Sequence, residues 1–153
     1  MSENEILIIF GTETGNAEEL SDTASRLASD YDLIGKVMDM EDVTTDILAN
    51  SKKLMVICST WGDGEQPDNA EDLYESTNNL NDGDLDGLNF SVLALGDTAF
   101  DLFCEAGIQW DELLEKKGGQ RFHDRIDCDT DYDDEAEEWI DIVLEKVASS
   151  TGK

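Results

Sequence analysis

Ile6-Leu7-Ile8-Ile9-Phe10 runs without a break into Gly11-Thr12-Glu13-Thr14-Gly15-Asn16-Ala17. Five successive apolar residues with no alternation suit a strand covered on both faces, the habit of a parallel sheet. Beyond the loop the period changes, and Ala17, Leu20, Ala24 and Leu27 fall on one face of a helix. Hydroxyls, backbone N–H groups and a helix N-terminus then share one loop, a combination that suits a bound phosphate. The loop lacks the lysine of G-x-x-x-x-G-K-[ST] and the spacing of G-x-G-x-x-G, so it is neither a Walker loop nor a dinucleotide loop. Taken alone, it also reads as an ordinary strand-to-helix turn with its capping residues.

The same alternation repeats along the chain. Leu54-Met55-Val56-Ile57-Cys58 and Phe90-Ser91-Val92-Leu93-Ala94-Leu95 are further apolar runs, and Leu33 to Met38 and Phe122 to Ile126 are weaker ones. Helical stripes lie between them: Leu73, Tyr74 and Leu80, then Phe103, Gly107, Trp110 and Leu114. The second stripe is closed by Gly118-Gly119 after two lysines suited to the negative helix end. The clearest stripe is last, with Ala136, Trp139, Ile140, Val143, Leu144 and Val147 at helical spacing. Five strands alternating with helices predict an α/β fold, a doubly wound parallel sheet with helices on both faces. Asn81 to Gly87 is a polar turn too short to divide domains, so residues 1–153 are expected to form one. Ligands of such sheets sit beyond the carboxyl ends of the strands, where the winding reverses.

Two more loops fall at that edge. Ser59-Thr60-Trp61-Gly62-Asp63-Gly64-Glu65-Gln66-Pro67-Asp68-Asn69-Ala70 places a tryptophan among glycines and acids, on no stripe and no strand. A core tryptophan lies on an element that packs it, as Trp110 and Trp139 do, so Trp61 reads as a platform for a flat ligand. Gly62 and Gly64 let the backbone approach that ligand, and Asp68 or Asn69 is expected to cap the next helix. Leu95-Gly96-Asp97-Thr98-Ala99-Phe100-Asp101-Leu102-Phe103-Cys104 offers a second loop aromatic, Phe100. A phosphate cradle with two aromatics describes a flat ring system bearing a phosphate tail.

Composition narrows the partners. The chain has 153 residues with 38 Asp or Glu against 10 Lys or Arg, a net charge of −28, and 39% of it is hydrophobic in compact runs. Lys52-Lys53 and Lys116-Lys117 are the only adjacent basic pairs, too little to release counterions from nucleic acid or to hold an anionic membrane. No apolar stretch approaches 18 residues, and Met1 to Glu5 has no signal-peptide character, so a cytoplasmic, monomeric protein is expected. Cys58, Cys104 and Cys128 contain no C-x-x-C and are read as small buried side chains; the lone His123 argues against zinc and against histidine relays.

The three loops resemble those of flavodoxin-like FMN domains, above all the FMN domains of diflavin reductases, including the sulfite reductase flavoprotein. Thr12-Glu13-Thr14-Gly15-Asn16-Ala17-Glu18 is similar to their phosphate loop, and the stretches Ser59–Ala70 and Leu95–Cys104 match the second and third loops, over a likeness from Glu5 to about Lys146. The resemblance implies a sheet of order 2-1-3-4-5 with FMN at the switch point, an arrangement that is the general example for this fold. It implies that Thr12, Glu13 (through its backbone), Thr14, Gly15, Asn16 and Ala17 hold the phosphate. Trp61 and Phe100 would flank the ring. Ser59, Thr60, Gly62 and Asp63, with Leu95, Gly96, Asp97, Thr98, Ala99, Asp101, Leu102, Phe103 and Cys104, would supply polar and backbone contacts. Gly62 is expected to let its peptide turn as the flavin changes redox state, and Asp127 or Asp129 to lie near the site. Ala17 stands where many free-standing flavodoxins have threonine, the reductase half of the diflavin enzymes is expected to be absent after the fifth helix, and the fifth strand reads as uninterrupted, as in a short-chain flavodoxin.

The function implied is low-potential, one-electron transfer between a flavin reductase and an acceptor enzyme, with basic surfaces on the redox partners. A carrier is expected rather than an enzyme, free-standing or a detached partner of a reductase or synthase. An FMN-dependent quinone or nitro reductase on the same fold would want Arg or Lys near the loops for a nicotinamide nucleotide, and none is visible there. A receiver-type signalling domain would need acids where Gly11-Thr12 and Ser59-Thr60 stand.

Overall fold

The computed structural model describes residues 4–12, 15–60, 65–96, 104–129 and 131–151. Its strands are β1 (Glu5–Gly11), β2 (Ile34–Asp39), β3 (Lys53–Ser59), β4 (Asn89–Leu95), β5 (Gln120–Arg121) and β6 (Ile126–Cys128). Its α-helices are α1 (Asn16–Ala28), α2 (Thr45–Ala49), α3 (Asp68–Asn78), α4 (Glu105–Lys116) and α5 (Asp133–Thr151). All pairings are parallel, in the order β2-β1-β3-β4, with β5 and β6 both on β4. The order 2-1-3-4-5 holds, with the fifth position filled by two pieces.

Strand side chains divide between two cores by parity. Ile6, Ile8 and Phe10 of β1, Met55 and Ile57 of β3, and Leu93 and Leu95 of β4 face α1 and α5. Leu7 and Ile9, Leu54, Val56 and Cys58, and Phe90 and Val92 face the other way, against α3, α4 and Leu48 of α2. Both faces are dry, which is why these runs carry no alternation in the sequence. The stripe of α5 is buried as its spacing predicts, with Ala136, Trp139, Ile140, Val143, Leu144 and Val147 each at most 5% exposed. Gly107 is required where α4 crosses β4, because a Cβ there would run into Ala94 Cβ.

The fifth strand corrects the sequence reading. It is not continuous over Phe122 to Ile126. Gln120 and Arg121 pair with Asn89 and Phe90, and Ile126 to Cys128 pair with Leu93 to Leu95. Between Arg121 and Ile126 the chain advances five residues while β4 advances three, so two extra residues bulge out of the ladder. Charge holds the bulge to α4. Asp111, buried on α4, accepts from Arg121 Nε at 2.9 Å and from Arg125 Nη1 at 2.7 Å. Arg125 Nε also reaches Asp127 at 2.8 Å. Lys117 is likewise not simply a charge at the end of α4: it is buried, and its Nζ donates to Leu80 O at 2.6 Å, fastening the turn before β4. Among the described residues no helix is long and apolar enough to cross a membrane.

Candidate functional site

β1, β3, β4 and β6 end side by side. Gly11 is level with Cys58, Ser59 with Leu95, and Leu95 with Cys128, so the loops after them leave from one edge of the sheet. β2 and β3 lie on opposite sides of β1, which puts the reversal of winding there.

At the first loop, Gly15 is the N-cap of α1 with φ 93°, a left-handed conformation that glycine adopts without a Cβ penalty. No side chain caps the helix among the described residues. Gly15 N donates to Thr12 Oγ1 at 2.9 Å, and the first N–H to close the helical ladder is Glu19 N, onto Gly15 O. Among the described residues the amides of Asn16, Ala17 and Glu18 have no intrahelical acceptor, and they stand at the positive end of a 13-residue dipole. Thr12 accepts at its oxygen and keeps its own hydroxyl proton to donate. This donor set, with no cation needed, fits a phosphate group.

The second loop is fastened at both ends. Thr60 N donates to Leu95 O at 2.9 Å, and Thr60 Oγ1 accepts from Ala106 N at 3.1 Å. That hydroxyl, expected to face a ligand, thus caps α4 and joins the second loop to the third. Gln66 is buried and makes a hub: its Oε1 accepts from Trp110 Nε1 at 2.9 Å, and its Nε2 donates to Ala106 O at 3.0 Å and Gln109 Oε1 at 3.1 Å. Neither Asp68 nor Asn69 caps α3; its N-cap is Pro67, which makes no side-chain bond. Asn69 instead accepts from Thr12 N at 2.9 Å and donates to Asp39 at 2.9 Å. Sequence reading missed Gln66 and Asn69 as anchors, since an amide in a polar loop carries no periodicity; the only signal was their place around Pro67.

The third loop leaves β4 through Gly96, whose N–H donates to Cys128 O at 2.9 Å. A Cβ on Gly96 would meet Cys104 N at 2.7 Å, so the two ends of that loop touch. Cys104 itself holds φ 57° as the N-cap of α4. The three cysteines are buried, as read. Burial raises all three thiols, Cys104 and Cys128 to about 12, so they stay protonated at neutral pH.

Of the expected site residues, Thr12, Gly15, Asn16, Ala17, Ser59, Thr60, Leu95, Gly96 and Cys104 thus gather at one edge. Glu13 and Thr14, then Trp61, Gly62 and Asp63, then Asp97, Thr98, Ala99, Phe100, Asp101, Leu102 and Phe103 lie outside the described residues. Asp127 is exposed and paired with Arg125, and Asp129 is half-buried just past β6.

Residues 8–139 match the family model described as Flavodoxin. The chain is 37% identical over 148 residues to the sulfite reductase [NADPH] flavoprotein alpha-component of Bacillus subtilis (strain 168), covering 97% of this chain and 24% of that protein. The same component from Vibrio vulnificus (strain CMCP6) is 36% identical over 93% of this chain and 23% of its own length. The chain thus spans about a quarter of the length of the curated relatives it matches. Among solved structures, Streptococcus pneumonia TIGR4 flavodoxin superposes with a TM-score of 0.84 at 29% identity, covering 95% of this chain and 99% of that one.

Proposed function

The chain belongs to the flavodoxin family, and from that premise we propose how its edge loops serve the FMN-binding electron transfer that defines such a module. The supporting observation is the uncapped α1 N-terminus at the switch point, with Thr12 turned beneath it. FMN, when bound, supplies a ring that takes up and passes on electrons, while the protein supplies binding, orientation and electrostatics.

In our reading the amides of Asn16 and Ala17 and the Thr12 hydroxyl donate to the phosphate, together with Glu13, Thr14 and Gly15. Trp61 and Phe100 flank the ring, with Ser59, Thr60, Gly62 and Asp63 on one side and Leu95 to Cys104 on the other. The Thr60 hydroxyl and the Gln66 side chain act behind them, by fixing both ends of the second loop to α4. A field of net charge −28 disfavours each added electron, which keeps the reduction potential low. The acids near the edge, such as Glu65, Asp68, Asp127 and those from Asp131 to Glu138, favour partners with basic docking surfaces.

We read the chain as a carrier between a separate NAD(P)H-oxidising flavoprotein and an acceptor enzyme, in the cytoplasm. The test is rapid-mixing kinetics on the FMN-loaded protein. NAD(P)H alone should not reduce it, a catalytic amount of a diflavin-type reductase domain should, and the rate should fall steeply from low salt to about 0.15 M as screening shortens. Direct turnover of NAD(P)H with a quinone would overturn the carrier reading, and a salt-independent rate would overturn electrostatic docking.

A further inference from the structure

Asn69 is the second residue of α3, yet its side chain serves other elements. Its Oδ1 accepts from Thr12 N at 2.9 Å, and its Nδ2 donates to Asp39 Oδ1 at 2.9 Å and reaches Phe10 O at 3.5 Å. Asp39 Oδ1, at the end of β2, is fixed in turn by Glu41 N at 2.8 Å. The order of donor and acceptor is therefore set: toward Thr12 the group must accept, toward Asp39 it must donate. An amide does both, whereas a carboxylate would face Asp39 with like charge. With Thr12 N held by Asn69 and Thr12 Oγ1 holding Gly15 N, both ends of the first loop are fixed before any ligand arrives.

We infer that Asn69 is a positioning residue for the phosphate loop, held in its working orientation by Asp39. It touches no ligand; it sets where Thr12 stands, and so where the Thr12 hydroxyl and the first amides of α1 meet a phosphate. The inference rests on reading this edge as the FMN site, and predicts an effect confined to the phosphate end of the ligand. A loss of general packing would weaken the ring end as well.

The experiment compares FMN with riboflavin, which lacks the phosphate, by fluorescence titration of the apoprotein. Asn69→Ala should weaken FMN binding about tenfold, the scale of one or two lost hydrogen bonds, and leave riboflavin binding within about twofold. Asn69→Asp should weaken FMN at least as much. Pairing Asn69→Asp with Asp39→Asn, which restores one donor facing one acceptor, should recover most of the affinity. In the apoprotein, hydrogen exchange at the Thr12 amide should accelerate in Asn69→Ala. FMN affinity unchanged in Asn69→Ala, or FMN and riboflavin weakened in parallel, would overturn the inference. A wild-type protein that takes up no FMN would instead overturn the reading of the site, and the inference with it.

Discussion

The centre of the sheet and its far edge are built on different principles. β1, β3 and β4 are regular, seven residues each, and buried on both faces by aliphatic side chains. The fifth strand is two short pieces around a bulge, and what binds it to α4 is a buried aspartate between two arginines. The centre is specified by apolar burial, which is additive and non-directional. The edge is specified by a few directional charges, in a chain where acids outnumber bases by 38 to 10. Removing one atom group at the centre leaves a cavity; removing one at the edge leaves charges short of a partner.

The largest expected effect is at the centre. Ile8 is fully buried, so Ile8→Ala should cost about 2–5 kcal/mol in equilibrium unfolding, with the denaturant slope unchanged. At the edge, Asp111→Ala takes the buried partner from two arginines that are 28% and 24% exposed in their side chains, and water, with Glu115 beside Arg121 and Asp127 beside Arg125, relieves part of the loss. About 2–3 kcal/mol is expected, below the usual cost of breaking a fully buried pair. Native-state hydrogen exchange sharpens the contrast: in Asp111→Ala, protection should fall at β5 and β6 before β1 and β3. Equal losses across all strands would break the distinction.

The centre was also the part legible in the sequence. Unbroken apolar runs announced β1, β3 and β4, and 3.6-residue spacing announced α5, because burial writes a periodic signal. The fifth strand was placed but misread as continuous, since Phe122 belongs to the bulge and Ile126 resumes the ladder. The cluster of Arg121, Arg125 and Asp111 carries no signal in the sequence, because nothing local marks a partner 10 or 14 residues away. The site divides the same way. The order of the three loops was readable, but the ties that hold them, Gln66 to α4 and Asn69 to Thr12, are long-range bonds of single amides.

Gln66 lies between the two regimes, a buried polar group within an apolar core. Gln66→Leu leaves Trp110 Nε1 without its acceptor, and should cost about 1–3 kcal/mol with a changed tryptophan emission. No loss of stability would mean that the second loop is held otherwise.

The smallest effect concerns His123, in the bulge. Its Nδ1 lies 2.7 Å from Lys146 Nζ, and its pKa is lowered by burial and by Lys146, with Asp124 opposing. The unfolded chain then binds the proton more readily than the fold does. The neutral imidazole's contribution is complete above the ordinary histidine pKa of about 6.5 and is lost as pH falls from there to the lowered value. Wild type should therefore lose stability relative to His123→Gln between pH 7 and 5. A constant difference would remove His123 from the edge's electrostatics.

In the proposed reading FMN sits at the carboxyl edge of the sheet and not against Arg121, His123 and Lys146 around the bulge. Titrating apoprotein with FMN and following backbone amide shifts by NMR tests it directly. One FMN per chain is expected, with the largest shifts at Gly15, Asn16, Ala17, Thr60 and Gly96. Saturable binding whose shifts instead centre on Arg121, His123 and Lys146, or no binding at all, would contradict it.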